Sequence, residues 1–439
     1  MLNRDIFIFE FSSGGGFNQK EIPSSLFCEG FAMLRTIIED YKNLGFHVTT
    51  LLDSRIGFLS RYLKADVIKS IESDENYLIR YTDCVKKSNF CFIIAPEFSN
   101  ILYNLTKIVN KSGKKLLSID LKGVQIGASK LETYKFFIAN EINTPLSYNI
   151  PFNRNILDLD FILQKFDRLD SAIIIKPDDG VGSESIFYFE KKNDILQFFD
   201  SSVELLNPNR RYILQEYVEG DPMSVSIINN QPIEGADDSY PKILSINTQY
   251  LHITDRAKNF LYFGGSTPVE QFERLKPQIE GVLKGVDLSA FNSYFGIDFV
   301  RKADNTLSFI EINPRLTTSY VGIRNVVEFN PMGLLLTSKK ELLKKYILFP
   351  PKFSEFMQIK LKYDGEHTSE EIKSFIMPQL MNLISEIITP PIDFKGTIKN
   401  HEMLFSCFIA TKSDNVTSSK SRVSQIYKIF KKFNFSAIK

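Results

Sequence analysis

The stretch SFIEINPRLT, residues 308–317, carries polar side chains on one face of an apolar strand pattern. Because successive side chains of a strand point to opposite faces, Glu311 and Asn313 share one face. The other face carries Ile310 and Ile312. A carboxylate and an amide on a buried strand cost free energy unless they have polar partners. The pattern therefore predicts a face that is either exposed to solvent or covered by a polar ligand.

A second apolar strand just before this one carries another acid. The stretch FGIDFV, residues 295–300, contains Asp298 and is separated from the first strand by the turn sequence ADNT. If the two strands form a hairpin, Asp298 and Glu311 lie on one face. Two carboxylates and the amide oxygen of Asn313 suit Mg²⁺, which prefers hard oxygen ligands and few protein carboxylates. A solvated sheet face is the alternative interpretation.

Residues 173–185, IIIKPDDGVGSES, combine an apolar strand with a glycine loop. The strand carries Lys176, and the loop contains Gly180, Gly182 and Ser183. Glycines allow backbone N–H groups to approach an anion closely, and a lysine supplies a point charge for phosphate. A hairpin turn with a lysine beside it explains the same pattern.

The segment ILQEYVEGD, residues 213–221, is an apolar strand that ends in polar residues. Such a strand end can serve a nucleotide base with its backbone groups and a ribose with a carboxylate. An ordinary strand end with no ligand is the alternative interpretation, and this segment by itself does not exclude it.

The order of strands and helices along the chain changes twice. In the first 120 or so residues strands alternate with amphipathic helices, which predicts a parallel, doubly wound sheet with ligands at the carboxyl ends of its strands. From about Ser129 the pattern is strand-rich and hairpin-like. Beyond about Met332 we expect helices and a strand, with breaks at Pro350-Pro351 and at Pro390-Pro391.

Composition excludes several classes of partner. The chain has 439 residues, with 53 Lys and Arg against 52 Asp and Glu, so its net charge gives no reason to expect nucleic acid or an anionic membrane. Four cysteines without metal-ligand spacing make no disulfide framework and favour a reducing compartment. No segment approaches the roughly 18 apolar residues of a membrane span. We expect a soluble, cytoplasmic protein.

Together, these segments resemble the ATP-grasp superfamily over roughly residues 120–330. The resemblance rests on their order: a lysine helix, a Lys-Pro strand with a glycine loop, a Glu-Tyr-Val strand end, a strand Asp and then Glu-x-Asn-Pro-Arg. It implies an α/β and α+β architecture, an ATP-grasp fold with an N-terminal preATP-grasp (Rossmann-like) domain and a small C-terminal α+β appendage. The expected boundaries are 1–120, 121–335 with a lid subdomain at about 130–214, and 336–439.

The resemblance also implies a set of residues that bind ATP. Lys130 and Lys176 would bind its phosphates, and Gly180, Gly182 and Ser183 would form the mobile phosphate loop. The residues that would border the adenine are Glu216, Tyr217 and Val218.

The ribose contact is a departure from the superfamily pattern. Many ATP-grasp chains have a Glu at the position of Pro222, so Asp221 or Glu219 would have to take its place, and Asp221 is our assignment.

For the reaction itself the resemblance implies a metal site and two catalytic residues. Asp298, Glu311 and Asn313 would hold Mg²⁺, with Mn²⁺ able to substitute. Arg315 would steady the transferred phosphoryl group or the substrate carboxylate, and Lys176 would assist it.

A narrower resemblance is to the archaeal tyramine–glutamate ligases of methanofuran biosynthesis and their close relatives. It rests on the phrases EFSSGGG, FCEGFAMLRTIIEDYKNLG, LSINTQY, YFGGSTP and NPRLTTSYVGIR and spans about residues 5–335. It implies small-molecule carboxylate and amine substrates joined through an acyl phosphate, and a homodimer. Another amino-acid or peptide ligase of the superfamily, or a non-catalytic ATP-binding module, is the alternative.

Three of these phrases contain polar residues suited to substrate contacts. Ser12 and Ser13 follow the first strand, at the sheet edge where ligands bind, although a flexible turn is equally consistent. Asn247 and Gln249 share one strand face and can orient an amino acid, or can be two solvated amides of an edge strand. Thr317 to Ser319 would line the acceptor site or cap the next helix.

Overall fold

The structure is a computed structural model that describes residues 4–153, 156–180, 185–230, 241–253, 260–336, 352–393 and 403–438. In these ranges the strands form one parallel sheet, three antiparallel sheets and a small hairpin. No helix in the same ranges is both long enough and apolar enough to cross a lipid bilayer.

The N-terminal part is a five-stranded parallel sheet with strand order β3-β2-β1-β4-β5. Its strands are β1 (Asp5–Glu10), β2 (His47–Asp53), β3 (Val67–Ile71), β4 (Phe90–Ile94) and β5 (Lys115–Leu116). The helices that connect them are α1 (Ser24–Asn43), α2 (Tyr77–Lys87) and α3 (Ile101–Lys111). The expected parallel, doubly wound sheet is confirmed. The sequence analysis missed β3, because this half-exposed edge strand lacks a continuous apolar run.

The middle of the chain contains two antiparallel sheets. The first has the order β10-β9-β11-β6, with β6 (Ser147–Asn149), β9 (Ile173–Pro177), β10 (Phe187–Phe189) and β11 (Tyr212–Glu216). The second has the order β13-β12-β16-β17, with β12 (Asp221–Asn229), β13 (Lys242–Thr248), β16 (Ser293–Arg301) and β17 (Leu307–Asn313). The hairpin consists of β7 (Phe152–Asn153) and β8 (Ile156–Leu157).

Helices flank these two sheets. They are α4 (Leu121–Gly127), α5 (Lys130–Ala139), α6 (Leu159–Leu169), α7 (Lys192–Ser201), α8 (Phe272–Leu283) and α9 (Ser319–Val326). Helix α5 begins at Lys130 with Ser129 as its N-cap, whose hydroxyl accepts a hydrogen bond from the Glu132 backbone N–H at 3.2 Å.

The last sheet combines strands from two distant parts of the chain. Its order is β14-β15-β18-β20-β19, and β21 pairs with the last residues of β18, beyond those that pair with β15. Its strands are β14 (Tyr250–Ile253), β15 (Phe260–Thr267), β18 (Ser354–Tyr363), β19 (Ile387–Ile392), β20 (Met403–Ala410) and β21 (Phe435–Ala437). The C-terminal helices are α10 (Ser369–Glu371), α11 (Met377–Leu383) and α12 (Val416–Lys432). The C-terminal strands therefore extend a sheet that starts within the predicted central domain.

Helix α1 packs against this sheet and joins it to the N-terminal part. Buried Phe27 and Phe31 of α1 belong to one apolar cluster with Phe356 and Phe408. Arg35 adds a polar contact, since its Nη1 donates to the carbonyl oxygen of Ile388 at 2.8 Å. The N-terminal and C-terminal segments thus share a hydrophobic core.

The predicted break at Pro390 and Pro391 is wrong, because both prolines lie inside β19. This strand is the last in its sheet, and proline is tolerated at an edge because its missing N–H is not needed there. The predicted helix over 333–347 lies largely outside the described residues, as does the break at Pro350-Pro351.

Candidate active site

A cavity of about 370 Å³ lies where the two central sheets and the β14–β15 strands meet. Ligand pockets of small molecules typically measure about 300–1,000 Å³. Its wall is partly apolar, through Ile174, Ile186, Leu251, Phe299 and Ile310. Its predicted polar residues are Lys176, Glu216, Asp298, Glu311, Asn313 and Arg315.

Two acids stand side by side on the cavity wall. Strands β16 and β17 are antiparallel neighbours, as predicted, and pair Asp298 directly with Glu311. Asn313 Nδ2 donates to Asp298 Oδ2 at 3.1 Å, and Gln249 Nε2 donates to Asp298 Oδ1 at 3.0 Å. The polar face predicted from SFIEINPRLT is therefore a wall of the cavity. Ile310, which was predicted for the opposite face, also lines the cavity, because a β-bulge opposite Asp298 and Phe299 interrupts the alternation.

Two lysines from separate elements approach the same acid. Lys130 Nζ lies 3.5 Å from Glu311 Oε2, and Lys176 Nζ lies 3.7 Å from the same oxygen. Both lysines are buried, with Lys176 only 3% exposed. The two cations and the acid pair thus form one charged cluster, in which buried charges compensate one another.

Asp178 explains why Lys130 reaches this cluster from a distant part of the sequence. Its Oδ1 accepts hydrogen bonds from Ser129 Oγ and from the Leu131 backbone N–H, both at 2.9 Å. The Lys130 backbone N–H also donates to the Asp178 carbonyl oxygen at 2.9 Å. The start of α5 is therefore fastened to the end of β9, next to Lys176. The sequence analysis assigned no role to Asp178.

The acids of this cluster differ in their affinity for protons. Burial raises the pKa of Asp298, and the neighbouring Glu311 carboxylate raises it further. Burial also acts to raise the pKa of Glu311, but Lys130 and Lys176 outweigh it, so this pKa falls below its usual value. Two adjacent buried carboxylates therefore favour a shared cation or a retained proton.

The donor set fits a magnesium ion better than a transition metal. Asp298 and Glu311 offer carboxylate oxygens, and Asn313 offers an amide oxygen, all hard ligands. Among the described residues there is no group of three or more His, Cys, Asp or Glu side chains arranged to hold a metal. Mg²⁺ needs no such group, because it usually keeps waters and substrate phosphates in its shell.

Arg315 enters the cavity from the loop after β17 and is held by the N-terminal part. Its Nε lies 2.9 Å from Glu97 Oε1, and the Glu97 side chain is 4% exposed. Glu97 follows the carboxyl end of β4, the edge at which doubly wound sheets bind their ligands. The sequence analysis missed Glu97, because no local pattern connects it to Arg315.

The predicted adenine-binding segment lies on the cavity wall. Glu216, Tyr217 and Val218 all line the cavity. The backbone N–H of Glu216 donates to the Leu146 carbonyl oxygen at 2.9 Å, which fixes this strand end beside the cavity.

The predicted ribose contact does not lie on this wall. Asp221 points away from the cavity, with its side chain 62% exposed and 2.5 Å from Arg301 Nη2. Strand alternation explains the difference, because Pro222 and Ser224 are the residues of β12 that face the cavity. The structure thus contradicts the assignment of Asp221, and Glu216 is the acid of this segment that lines the cavity.

The predicted phosphate loop is described only in part. Gly180 lies near the cluster, since its carbonyl oxygen accepts a hydrogen bond from Lys130 Nζ at 3.3 Å. Gly182 and Ser183 lie outside the described residues.

The further polar residues named from the sequence divide into two groups. Gln249, Thr317, Thr318 and Ser319 line the cavity. In contrast, Ser12, Ser13 and Asn247 are fully buried and are not among the residues that line it. Asn247 Nδ2 donates to Ser224 Oγ at 3.1 Å and to Ser226 Oγ at 3.2 Å, so it supports the wall from inside.

Two titratable residues of the cavity were given no role from the sequence. Glu29 of α1 and Tyr262 of β15 both line the cavity. Tyr262 Oη is 2.9 Å from Thr318 Oγ1. The signal for Glu29 is an acid within the apolar helix segment FCEGF, where a carboxylate needs a polar surface to face.

Comparison with known proteins agrees with this architecture. The ATP-grasp domain family matches residues 127–319, and the pre ATP-grasp 3 domain family matches residues 46–123. Tyramine–L-glutamate ligase from Methanocaldococcus fervens is 28% identical over 325 residues, which cover 73% of this chain and 89% of the relative. Its counterpart from Methanocaldococcus jannaschii is 24% identical over 323 residues, with coverages of 73% and 84%.

Solved structures share the fold at low sequence identity. An ATP-grasp superfamily protein from Archaeoglobus fulgidus has a TM-score of 0.58 at 22% identity and covers 83% of this chain and 95% of its own. L-amino acid ligase from Bacillus licheniformis has a TM-score of 0.62 at 12% identity, with coverages of 99% and 98%. The fold of that ligase therefore extends over the C-terminal segment of this chain.

The fold and the charged cavity define the class: the chain has the ATP-grasp fold, with a pre-ATP-grasp domain before its ATP-grasp domain. Among the proteins of that class, it is similar over most of its length to the two archaeal tyramine–L-glutamate ligases.

The buried lysine predicts a pH dependence of nucleotide binding. Burial lowers the pKa of Lys176 to about 8, against the opposing effect of Glu311. Because the ammonium is present below this pKa and lost above it, we expect the Kd for ATP to rise by up to about tenfold per pH unit above pH 8. Calorimetric titrations at pH 7, 8 and 9 measure this slope.

Lys176→Arg is the control for this prediction, since a guanidinium keeps its proton throughout that range. Its Kd should stay nearly constant between pH 7 and 9. An equal slope in both proteins would show that another group causes the pH dependence.

Proposed function

We propose that this protein joins the side-chain carboxylate of glutamate to the amine of tyramine, with ATP converted to ADP and phosphate. The chain is an ATP-dependent carboxylate–amine ligase of the ATP-grasp class. The observation that carries the proposal is the charged cluster that Asp298, Glu311 and Lys176 form in the cavity, with Lys130 next to Glu311. The names of the two archaeal relatives support the choice of substrates.

The reaction needs activation of the carboxylate. A carboxylate does not condense with an amine in neutral water, because its carbon is a poor electrophile and hydroxide is a poor leaving group. In the proposed route a carboxylate oxygen attacks the γ-phosphate of ATP and ADP leaves. The amine then attacks the carbonyl carbon of the acyl phosphate and phosphate leaves.

In the phosphoryl transfer the protein contributes position and charge. Lys130 and Lys176 would bind the phosphates, which lets their ammonium groups neutralise charge that develops in the transition state. Arg315, held by Glu97, would orient the transferred group or the carboxylate that attacks it. Positioning of this kind accounts for a large share of the rate in phosphoryl transfer.

Asp298, Glu311 and Asn313 would hold Mg²⁺. A bound Mg²⁺ neutralises phosphate oxygens and orients the nucleotide. The two carboxylates contribute hard oxygen ligands, while Gln249 keeps Asp298 in its orientation through a hydrogen bond of 3.0 Å. Lys130 and Lys176 lie close to Glu311 Oε2 and would keep this carboxylate in place next to Asp298.

Glu216, Tyr217 and Val218 would border the adenine. Glu216 is also the candidate for the ribose hydroxyls in place of Asp221, which faces solvent. The homodimer expected from the resemblance stays a prediction, and light scattering on the purified protein tests it.

An ADP-release screen of amino acids against amines tests the proposed function. We expect ADP only when ATP, glutamate and tyramine are all present, with a product whose mass equals glutamate plus tyramine minus water. ADP release with a different amino acid or amine would support the ligase class but show that the substrates are not glutamate and tyramine. Stoichiometric ATP binding without ADP release from any pair would favour a non-catalytic module.

A further inference from the structure

The carboxylate of Glu29 enters the cavity without a polar partner from the protein. In the part of the chain that the structure describes, it makes no hydrogen bond and no ion pair, although it lines the same cavity as Arg315 and Tyr262. The other acids of the cavity cluster have partners: Asp298 has two amides, and Glu311 has two lysines. Glu29 can therefore accept a polar partner from a bound molecule.

The position of Glu29 is fixed by the packing of α1. Its neighbours Phe27, Cys28 and Gly30 are buried, and a Cβ atom at Gly30 would overlap the Glu10 carboxylate. The Cys28 carbonyl oxygen accepts a hydrogen bond from Thr389 Oγ1 of β19 at 2.7 Å. Helix α1 is thus held on both sides at this point, so that the Glu29 side chain faces the cavity.

The polar neighbours of Glu29 are already engaged. The guanidinium of Arg315 is paired with Glu97 at 2.9 Å, and the Tyr262 hydroxyl lies 2.9 Å from Thr318 Oγ1. A partly buried carboxylate beside such neighbours is suited to a cationic group from a bound molecule. Tyramine, the proposed amine substrate, carries an ammonium group at neutral pH.

We propose that Glu29 is the general base that binds the ammonium of the amine substrate and removes one of its protons. The inference rests on the proposed function, because it assigns a residue to the second half of that reaction.

The proton transfer comes before formation of the new bond. Glu29 takes one proton from the ammonium, which frees the nitrogen lone pair. That lone pair attacks the carbonyl carbon of the acyl phosphate, a C–N bond forms, and the bond from that carbon to the phosphate oxygen breaks with its electron pair leaving on the phosphate. The nitrogen releases its second proton to the departing phosphate, and Glu29 returns its proton to solvent.

The acidity of Glu29 suits this role. Burial raises its pKa to about 7, while Arg315 acts in the opposite direction. A base whose pKa lies near the working pH is the most efficient in proton transfer. The other titratable groups that face it, Tyr262 and Cys28, have pKa values raised by burial and stay protonated near neutral pH.

Two nucleophiles, tyramine and hydroxylamine, distinguish a role of Glu29 in deprotonating the amine from a role in activating the carboxylate. Tyramine is an ammonium at neutral pH and needs a base, whereas hydroxylamine is uncharged and traps an acyl phosphate as a hydroxamate without one. For Glu29→Gln we expect kcat/KM for tyramine to fall by about 100-fold or more, while hydroxamate formation stays within about threefold. Glu39→Gln, an exposed acid of the same helix, is the matched control and should change neither rate.

The pH profile provides a second readout. In the wild type, kcat/KM for tyramine should rise with pH through about 7, because Glu29 becomes a carboxylate. In Glu29→Gln the inflection near pH 7 should be absent, and kcat/KM should instead rise steadily with the fraction of uncharged tyramine. Glu29→Asp, which keeps a carboxylate and also serves if the Gln variant does not fold, should retain the inflection.

Each remaining outcome decides against the proposal. Tyramine ligation that is unchanged in Glu29→Gln would exclude Glu29 as the base. An equal loss of hydroxamate formation would place Glu29 on the glutamate substrate and also overturn the inference. If the wild type forms no hydroxamate and no amide, the proposed function itself fails, and this result differs from both of the others.

Discussion

Replacement of Glu311 by Gln should lower the rate of ADP formation by more than about 100-fold. The change keeps the shape of the side chain and removes the charge that faces Lys130 and Lys176 at 3.5 and 3.7 Å. It also takes one of two carboxylates away from the proposed Mg²⁺ site. Coupled-enzyme measurement of ADP at saturating ATP, glutamate and tyramine reports the effect.

The fold should survive this substitution. Loss of the attraction to the two lysines is offset in part, because Asp298 no longer has a like charge beside it. Thermal unfolding therefore should show a native transition. Glu280→Gln, at an exposed position of α8, is the control and should leave turnover at the wild-type value. Turnover within twofold of wild type in Glu311→Gln would remove Glu311 from the metal role.

Deletion of all residues after Leu336 should abolish both activity and stable folding. Strand β15 contributes Phe260 and Tyr262 to the cavity wall and pairs along Gly264–Thr267 with β18, which the deletion removes. The deletion also uncovers the apolar face of α1 that packs against Phe356 and Phe408. Each buried large apolar side chain contributes roughly 1.5–3 kcal/mol, so exposure of several exceeds the stability of an average domain. Soluble yield, circular dichroism and ADP release measure the result.

A point variant separates loss of the strand pairing from loss of the whole segment. Gly264 has a φ of 130°, and a Cβ atom there would overlap the Phe356 carbonyl oxygen of β18. Gly264→Ala should therefore cost at least roughly 1–3 kcal/mol of unfolding free energy through backbone strain and should impair ligation. Gly281→Ala, where a Cβ meets no atom within 4 Å, should not. Full activity of the shortened chain would make the C-terminal segment an accessory.

The acid-and-amide face proposed to hold Mg²⁺ was predictable because its geometry is local. Asp298, Glu311 and Asn313 belong to two strands joined by a short turn, and strand alternation is enough to bring them onto one face. The lysine strand and the Glu-Tyr-Val strand end were predictable for the same reason, since each lies within one segment. Asp221 was assigned wrongly, because alternation of the next strand turns it toward solvent and Arg301.

Residues that meet only through packing were not predictable. Glu97 and Arg315 are far apart in the chain and form an ion pair across two domains. Glu29 reaches the cavity because α1 is held between Glu10 and Thr389, and no pattern in its own helix specifies that contact. The same holds for β18, whose partner β15 comes from a distant segment.

The sequence alone was enough to define the class of the protein, its nucleotide chemistry and the acid-and-amide face. These features lie within short segments, in which strand periodicity determines which side chains share a face. The folded chain decided which further groups face that chemistry: the carboxylate of Glu29, the Glu97 partner of Arg315 and the C-terminal strands behind Tyr262. These depend on how separate sheets pack, because packing is set by contacts between segments that are far apart in the chain.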